Sequence, residues 1–575
     1  MKALFGYLKP VAWRIVFGTI IKFIGSIMDL FLPAILSHLL DNVVPQSKID
    51  GDLRMIFIWG GAMLICAAVA FGGNIIANRI AASTSRDAVR EIRNDLFEKT
   101  IKLSEKRINH FSIPTLEMRL TGDTYNVHRM VGMIQRMGVR APILLIGGVF
   151  MTFSMEPVLT LVLLSTLPFI AFVIYFVSKK GIPLYDLVQQ KTDTMVRVVR
   201  ENIVGVRVIK ALSKTDYEKD KFFCINNEVG GSETKAGIVM ATTSPVMNIL
   251  LNGGMTLVIL VGAFRVSSGD TPPGTLIAFM SYFTIILNAM MMVTRLFVNS
   301  SKGVASMNRI AEILAENTEE EAFSQTVTAD DIRTDAKIVF DKVSFSYNGK
   351  KNDLSDISVS VPKGGTLGII GATGSGKSTI IKLLMRFYDP NEGAIYIDGK
   401  DIRSMDTGEL RNRFGIVMQN DFLYAGTVEE NIRFERETTS ESIKNAVESA
   451  QAAEFVNERG LDYELTMSGH NLSGGQRQRL LIARALAANP EILILDDASS
   501  ALDYKTDAAL RSAIDKIKPR PTTVVVAQRV SSVMNSDVIL LIDGGEAVAC
   551  GDHKTLMAEC EMYRDIAHTQ MGGGL

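Results

Sequence analysis

The chain has 575 residues, 47% of them hydrophobic and 21% charged, with a mean hydropathy of +0.19. It is too long for one core, too apolar for an ordinary soluble enzyme and too charged to consist only of membrane spans. A formal net charge of -1, from 61 Lys plus Arg against 62 Asp plus Glu, gives no basic surplus for nucleic acid, and no nucleic-acid partner is expected. Four cysteines (Cys66, Cys224, Cys550, Cys560) without a CxxC pair exclude a disulfide scaffold or a cysteine-based zinc site.

In chain order, the apolar excess lies in roughly the first 310 residues, where six runs approach the ~20 residues that cross a bilayer as helix. They cover about Val11–Val44, a stretch from Met55 through Gly72, Val139–Phe153, Val158–Val177, Ile238–Val266 and Thr275–Val298. The first run is too long and too weakly punctuated to read as a cleaved signal peptide. Lys and Arg accumulate in two long polar intervals, Arg79–Arg140 and Lys179–Lys235, while the intervening short linkers carry few. By the positive-inside rule the basic intervals are cytoplasmic, and both chain ends with them. Within these intervals, as over Asp87–Phe97 and Val198–Lys210, apolar residues recur at helical spacing, so the spans are expected to continue as helical hairpins deep in the cytoplasm.

Lys22, Asp29 and His38 inside the first run are costly in hydrocarbon and read either as functional groups or as side chains buried against a neighbouring helix. Met290, Met291 and Met292 read either as an adaptable apolar lining or as ordinary packing.

An acidic, uneven stretch at 315–335 reads as a linker between a membrane domain at 1–314 and a second domain at 336–575. There the pattern changes to strands. Lys337–Tyr347 alternates, and a short apolar strand, Thr366–Ile370, runs into Gly371-Ala-Thr-Gly-Ser-Gly-Lys-Ser-Thr. This is GxxxxGK[ST] in its required context, a strand before it and a helix at Ile380–Phe387 after it. The glycines Gly371, Gly374 and Gly376, with Thr373, Ser375 and Thr379, let the backbone wrap and aim successive N–H groups at an anion. Lys377 then reaches the terminal phosphates and the Ser378 hydroxyl helps hold Mg2+. Further on, the apolar strand from Ile492 to Leu495 ends in Asp496-Asp497, as expected of a strand whose first carboxylate supports Mg2+. Between these motifs, Leu472-Ser473-Gly474-Gly475-Gln476 at a helix start is a second phosphate-binding arrangement.

With these motifs the whole chain resembles an ABC transporter half of the exporter type, an all-α six-span membrane domain fused to an α/β P-loop ATPase domain. The resemblance implies ATP and Mg2+ as cofactors, Tyr347 as the aromatic that stacks on adenine, Gln419 as a Q-loop residue that joins Ser378 and Asp496 at the metal, and Asp503 in the loop from Ser500. It also implies a head-to-tail dimer, each ATP held between the P-loop of one subunit and the LSGGQ of the other. Hairpin turns near His110–Leu116 and Leu212–Glu218 would seat on the ATPase domains.

Two departures from the family pattern fall on the hydrolytic apparatus. Asp497 stands where the family usually has the glutamate that activates water, and its carboxylate is one methylene shorter. A misplacement of about 1 Å can cost roughly a hundredfold in rate. Gln528 replaces the switch histidine and can neither carry a positive charge nor exchange a proton. A third departure, Met467 in place of an acidic residue before the signature, has no assigned consequence. The paired changes resemble the degenerate-site subunit of heterodimeric bacterial multidrug exporters. The expected protein is thus a multi-pass cell-membrane subunit, its ATPase domain cytoplasmic, that pairs with a second half-transporter and moves a small amphipathic substrate outward across the lipid bilayer. Its own P-loop site would bind ATP and hydrolyse it poorly. A metal-chelate importer of the same fold, a non-transporting ATP-binding regulator and a slow homodimer remain as alternatives.

Overall fold

The computed structural model of the chain describes residues 2–323, 331–498 and 500–571. The chain divides into two compact units, Met1–Lys99 with Pro114–Ala315, and Thr100–Ile113 with Glu316–Leu575.

The first unit is helical, and among the described residues six helices are long and apolar enough to cross a membrane. Arg54–Ile101 and Pro157–Val204 each run 48 residues, about 72 Å at 1.5 Å per residue against ~30 Å of hydrocarbon. In these two helices the apolar run is one end of a helix that goes on as a charged stalk. Small residues set the crossings. A methyl group on Gly25 would meet the Ala70 carbonyl at 3.4 Å, and one on Gly73 would meet the Ile21 carbonyl at the same distance, so the first two span helices touch almost backbone to backbone. The last span helix, Pro273–Leu314, packs along Thr124–Met155, closest where Gly303 meets Met130. Toward the stalk ends, Arg309 pairs with the buried Asp123 and Arg119 with Glu312 at 3.1 Å.

Among the described residues the second unit is built on a ten-stranded sheet. Its strands, with a separate two-stranded ribbon of β7 and β8, are β1 (Ala336–Phe345), β2 (Leu354–Pro362), β3 (Thr366–Gly371), β4 (Glu392–Ile397), β5 (Lys400–Asp401), β6 (Phe414–Val417), β7 (Gly426–Thr427), β8 (Glu464–Leu465), β9 (Ile492–Asp496), β10 (Thr522–Ala527), β11 (Val538–Asp543) and β12 (Glu546–Gly551). The order across the large sheet is β5-β4-β1-β2-β12-β11-β3-β10-β9-β6. β11, β3, β10, β9 and β6 run parallel, whereas β1, β2, β4 and β5 pair antiparallel. All five residues of β9 are buried, as a strand covered on both faces requires. The expected alternation along Lys337–Tyr347 is interrupted instead by a bulge at Lys342, whose φ of 50° is left-handed. Residues 324–330 of the expected linker lie outside the described residues; the part that follows Ala315 forms a short helix, Glu319–Phe323.

The first hairpin turn belongs to this second unit. Ser112, at φ 66°, separates the short helices Glu105–Phe111 and Ile113–Met118. Glu105 pairs with Lys382, Asn109 donates to the Tyr388 hydroxyl at 3.4 Å, and Arg107 pairs with Glu316 at 3.1 Å. The second turn, Leu212–Lys214, lies in the first unit and bends at Ser213 with φ 51°.

Candidate functional site

Parallel pairing assembles the site. β10 lies between β3 and β9 with Ala527 opposite Ile370 and Val526 opposite Asp496, so the loops leaving the carboxyl ends of the three strands emerge side by side, where open α/β sheets bind ligands. They carry the Gly371–Thr379 loop, Asp496-Asp497 and Gln528.

The loop after β3 is shaped by its glycines. Gly374 and Gly376 sit at φ 81° and 102°, and a methyl group at Gly371 would lie 2.1 Å from the Ile542 carbonyl oxygen. Gly376 caps the helix Lys377–Leu384, whose first N–H groups point into the loop. Lys377 Nζ donates to the carbonyls of Gly371 at 2.9 Å and Ala372 at 2.6 Å, folded back over its own loop. Burial pulls its ammonium below the ordinary lysine range, against the opposing pull of Asp496 and Asp497. The Ser375 hydroxyl is buried without a hydrogen-bond partner, beside Gly371 and outside the cleft lining.

A cleft of about 200 Å3 lies over this loop, lined by Thr373, Gly374, Gly376, Lys377, Ser378, Thr379, Gln419, Asp496, Asp497 and Gln528. The Ser378 hydroxyl donates to Asp496 Oδ2 at 3.2 Å. Burial raises the Asp496 carboxyl above the ordinary aspartate value, although the Ser378 bond and Lys377 oppose it. One hydroxyl and one carboxylate, with Gln419 on the same wall, fit a Mg2+ that keeps waters and takes phosphate oxygens as its remaining ligands. No group of three acidic, His or Cys side chains that could cage a metal unaided occurs among the described residues. Glycine-shaped backbone, a lysine and this donor pair together suit a nucleotide triphosphate with its magnesium.

Asp497 follows β9 in a left-handed conformation, φ 53°, its N–H bonded to the Val526 carbonyl at 3.0 Å. Burial raises its carboxyl, against Lys377 and Arg529. Together with Gln528 it also lines a second cleft of about 460 Å3 that continues past Ser500 and Tyr504 to Gln570. The two substituted positions thus stand at the junction of two clefts.

Other expected residues lie apart. Tyr347 is outside the cleft, its hydroxyl 3.5 Å from Thr379 Oγ1 and its ring set edge-on against Tyr388. Leu472–Gln476 line neither cleft. Ser473 caps the helix Gly474–Ala487 in a reciprocal box with Gln476, at 3.2 Å and 3.0 Å, which leaves the N–H groups of Gly474 and Gly475 facing outward from a helix start. Asp503 caps the helix Tyr504–Asp515 through Thr506. Beyond the expected residues the cleft is lined by Val526, Ala527 and the charged Asp353, which accepts from the Tyr347 N–H at 2.9 Å. It sits one residue before β2 and six after Tyr347, and its place at the cleft follows from how β1 meets β2.

Comparison with known proteins places these features in context. The description "ABC transporter transmembrane region" matches residues 15–290, and "ABC transporter" matches residues 354–500. An uncharacterized ABC transporter ATP-binding protein of Mycobacterium tuberculosis is 33% identical over 98% of this chain and 97% of its own. One of Bacillus subtilis is 32% identical over 100% of this chain and 99% of its own. An ATP-dependent lipid A-core flippase of Sodalis glossinidius is 28% identical over 99% and 98%. A solved bacterial Atm1-family ABC exporter with ATP bound shares the fold, with TM-score 0.80 and 23% identity over 97% of this chain and 98% of that one.

Proposed function

The chain belongs to the ABC transporters as a half-transporter of the exporter type, and from that premise we propose that it is the ATP-retaining subunit of a heterodimeric exporter. In this reading residues 1–314 carry substrate between two such membrane domains, 315–335 connect, and 336–575 form the ATP engine. The substrate is an amphipathic or hydrophobic compound, a drug, lipid or peptide, moved outward. That some relatives are lipid A-core flippases supports a lipid-like cargo.

The observation that carries the asymmetry is the position of Asp497 and Gln528. Both line the cleft that also holds Lys377, Ser378, Gln419 and Asp496. Groups that hold phosphate and metal are retained, while those that would orient a water and sense the terminal phosphate are altered. Lys377, released from its carbonyls, binds the terminal phosphates, and the N–H groups of the glycine loop enclose them. Mg2+, when bound through Ser378, Gln419 and Asp496, neutralises phosphate charge. Tyr347 stacks on adenine. Asp497 holds its carboxylate one methylene short of the attacking water and aligns it poorly, and Gln528 donates a neutral hydrogen bond where a cation would be stronger. Ser473, Gly474 and Gly475 complete the partner's P-loop site, with Asp503 at the same junction.

The test is ATPase activity of the purified two-subunit transporter. Asp497→Asn lowers turnover by less than about threefold, whereas removal of the partner's catalytic carboxylate lowers it at least a hundredfold, the scale of losing an aligned base. Equal losses from both would overturn the asymmetric assignment.

A further inference from the structure

The polar residues inside the first span converge with others from two neighbouring helices. Lys22 is 3% exposed and donates to Asn78 Oδ1 at 3.0 Å. Two turns further along the same helix, the Asp29 carboxylate accepts from Arg140 at 3.0 Å and from Asn74 at 3.5 Å. Arg136 lies one turn before Arg140 on its helix, and the charged groups within electrostatic reach of Lys22 are Arg140, Asp29 and Arg136. The one carboxylate, Asp29, is ion-paired with Arg140, and among the described residues neither Lys22 nor Arg136 has an ion-pair partner. Hydrogen bonding is incomplete as well, because Asn74 Oδ1 and Arg140 Nε are enclosed without partners.

Depth along the helices sets what this cluster can meet. Asn74 and Asn78 come 20 and 24 residues after the start of the helix Arg54–Ile101, about 30–36 Å from its outer end and hence at the inner boundary of the hydrocarbon. Lys and Arg at such a boundary ordinarily extend to water. Lys22 does not. It is buried in a surplus of positive charge, which is costly in a low dielectric unless an anion joins it.

We propose that Lys22, Arg136 and Arg140, with the amides of Asn74 and Asn78, form a binding site for the anionic, phosphate-type headgroup of an amphiphilic substrate entering from the inner leaflet. Asp29 holds Arg140 in place when the site is empty and competes with the incoming anion. This rests on the reading of the chain as an exporter of amphiphiles, and it names the headgroup class.

The test is native mass spectrometry of the full-length transporter purified in detergent without nucleotide, so that its outcome is independent of ATP hydrolysis and of which subunit hydrolyses. Dioleoyl phosphatidic acid is titrated against dioleoyl phosphatidylcholine and against inorganic phosphate. The wild type retains phosphatidic acid in preference to both. Lys22→Met weakens that retention about tenfold, the scale of one charge-assisted contact, Lys22→Arg restores it, and Asp29→Asn strengthens it by removing the competing carboxylate. Should Lys22→Met fail to fold, the half-exposed Arg136→Gln carries the same expectation. Equal retention of phosphatidic acid and phosphatidylcholine, or weakening by Asp29→Asn as large as by Lys22→Met, would overturn the site. Inorganic phosphate binding as well as the lipid would overturn its assignment to an amphiphile.

Discussion

Asp496 and Asp497 are adjacent residues with the same side chain and different surroundings. Asp496 ends a buried strand, receives the Ser378 hydroxyl and faces the cleft from a fixed position. Asp497 lines the same cleft from a left-handed backbone conformation. In the proposed reading the first supports metal, and the N–H of the second is bonded to the Val526 carbonyl. Two expectations belong to this scale. Ser378→Ala removes one oxygen donor to metal, so the strengthening of a fluorescent ATP analogue's binding by Mg2+, measured against EDTA, falls about tenfold while metal-free binding is little changed. Because burial raises the Asp496 carboxyl above the ordinary aspartate value, with the Ser378 bond only partly opposing it, protonation begins at higher pH than for a surface aspartate. Mg2+-dependent binding therefore declines on acidification before an ordinary carboxylate would titrate, and Asp496→Asn both lowers binding and flattens this dependence. An unchanged pH profile in that variant would contradict the role given to Asp496. The P-loop was legible in sequence because its chemistry is local, nine consecutive residues between a strand and a helix. Asp353 was not, since its place beside Tyr347 depends on how β1 meets β2.

Among elements, the parallel strands were easiest to read, because burial on both faces leaves a continuous apolar run such as Ile492–Leu495. β1 misled, because the bulge at Lys342 breaks the alternation, and bulges carry no sequence signal strong enough to place them. Long-range ion pairing was likewise illegible. Lys337 in β1 and Asp398 after β4 meet Arg413 before β6 and Glu491 before β9. Burial alone would raise Asp398, but Lys337 and Arg413 outweigh it and hold its carboxyl low; Arg413 chiefly does the same for Glu491. A depressed folded-state value gives stability that is present above the unfolded value and is lost as pH falls through the folded one. The ATPase unit therefore loses thermal stability as pH drops below about 4.5, and Asp398→Asn starts from a lower melting temperature at neutral pH with a shallower acid decline. A parallel pair of pH curves would refute this. The signature helix supplies another expectation. Ser473→Ala removes an N-cap worth about 1 kcal/mol, a modest loss of melting temperature, yet in the proposed assembly turnover falls far more than stability, because there the same residue would face the partner's site. Full turnover in a folded Ser473→Ala variant would count against the shared site.

At the scale of the whole molecule, the opening average of 47% hydrophobic and 21% charged is a mean over a helical membrane unit and an α/β ATPase unit that resemble it in neither part. That division was legible, since hydropathy and periodicity change together near residue 315. The membership of Thr100–Ile113 in the second unit was not, because its ties to Lys382, Tyr388 and Glu316 join residues more than 200 apart in sequence. The central claim concerns the two nucleotides of one assembled transporter. The most direct measurement is photolabelling of the turning-over transporter with azido-ATP carrying its label on either the α or the γ phosphate, followed by separation of the subunits. The account predicts that this chain retains both labels, as unhydrolysed ATP, while the partner keeps the α label and loses the γ label. Loss of the γ label from this chain at the partner's rate would contradict it.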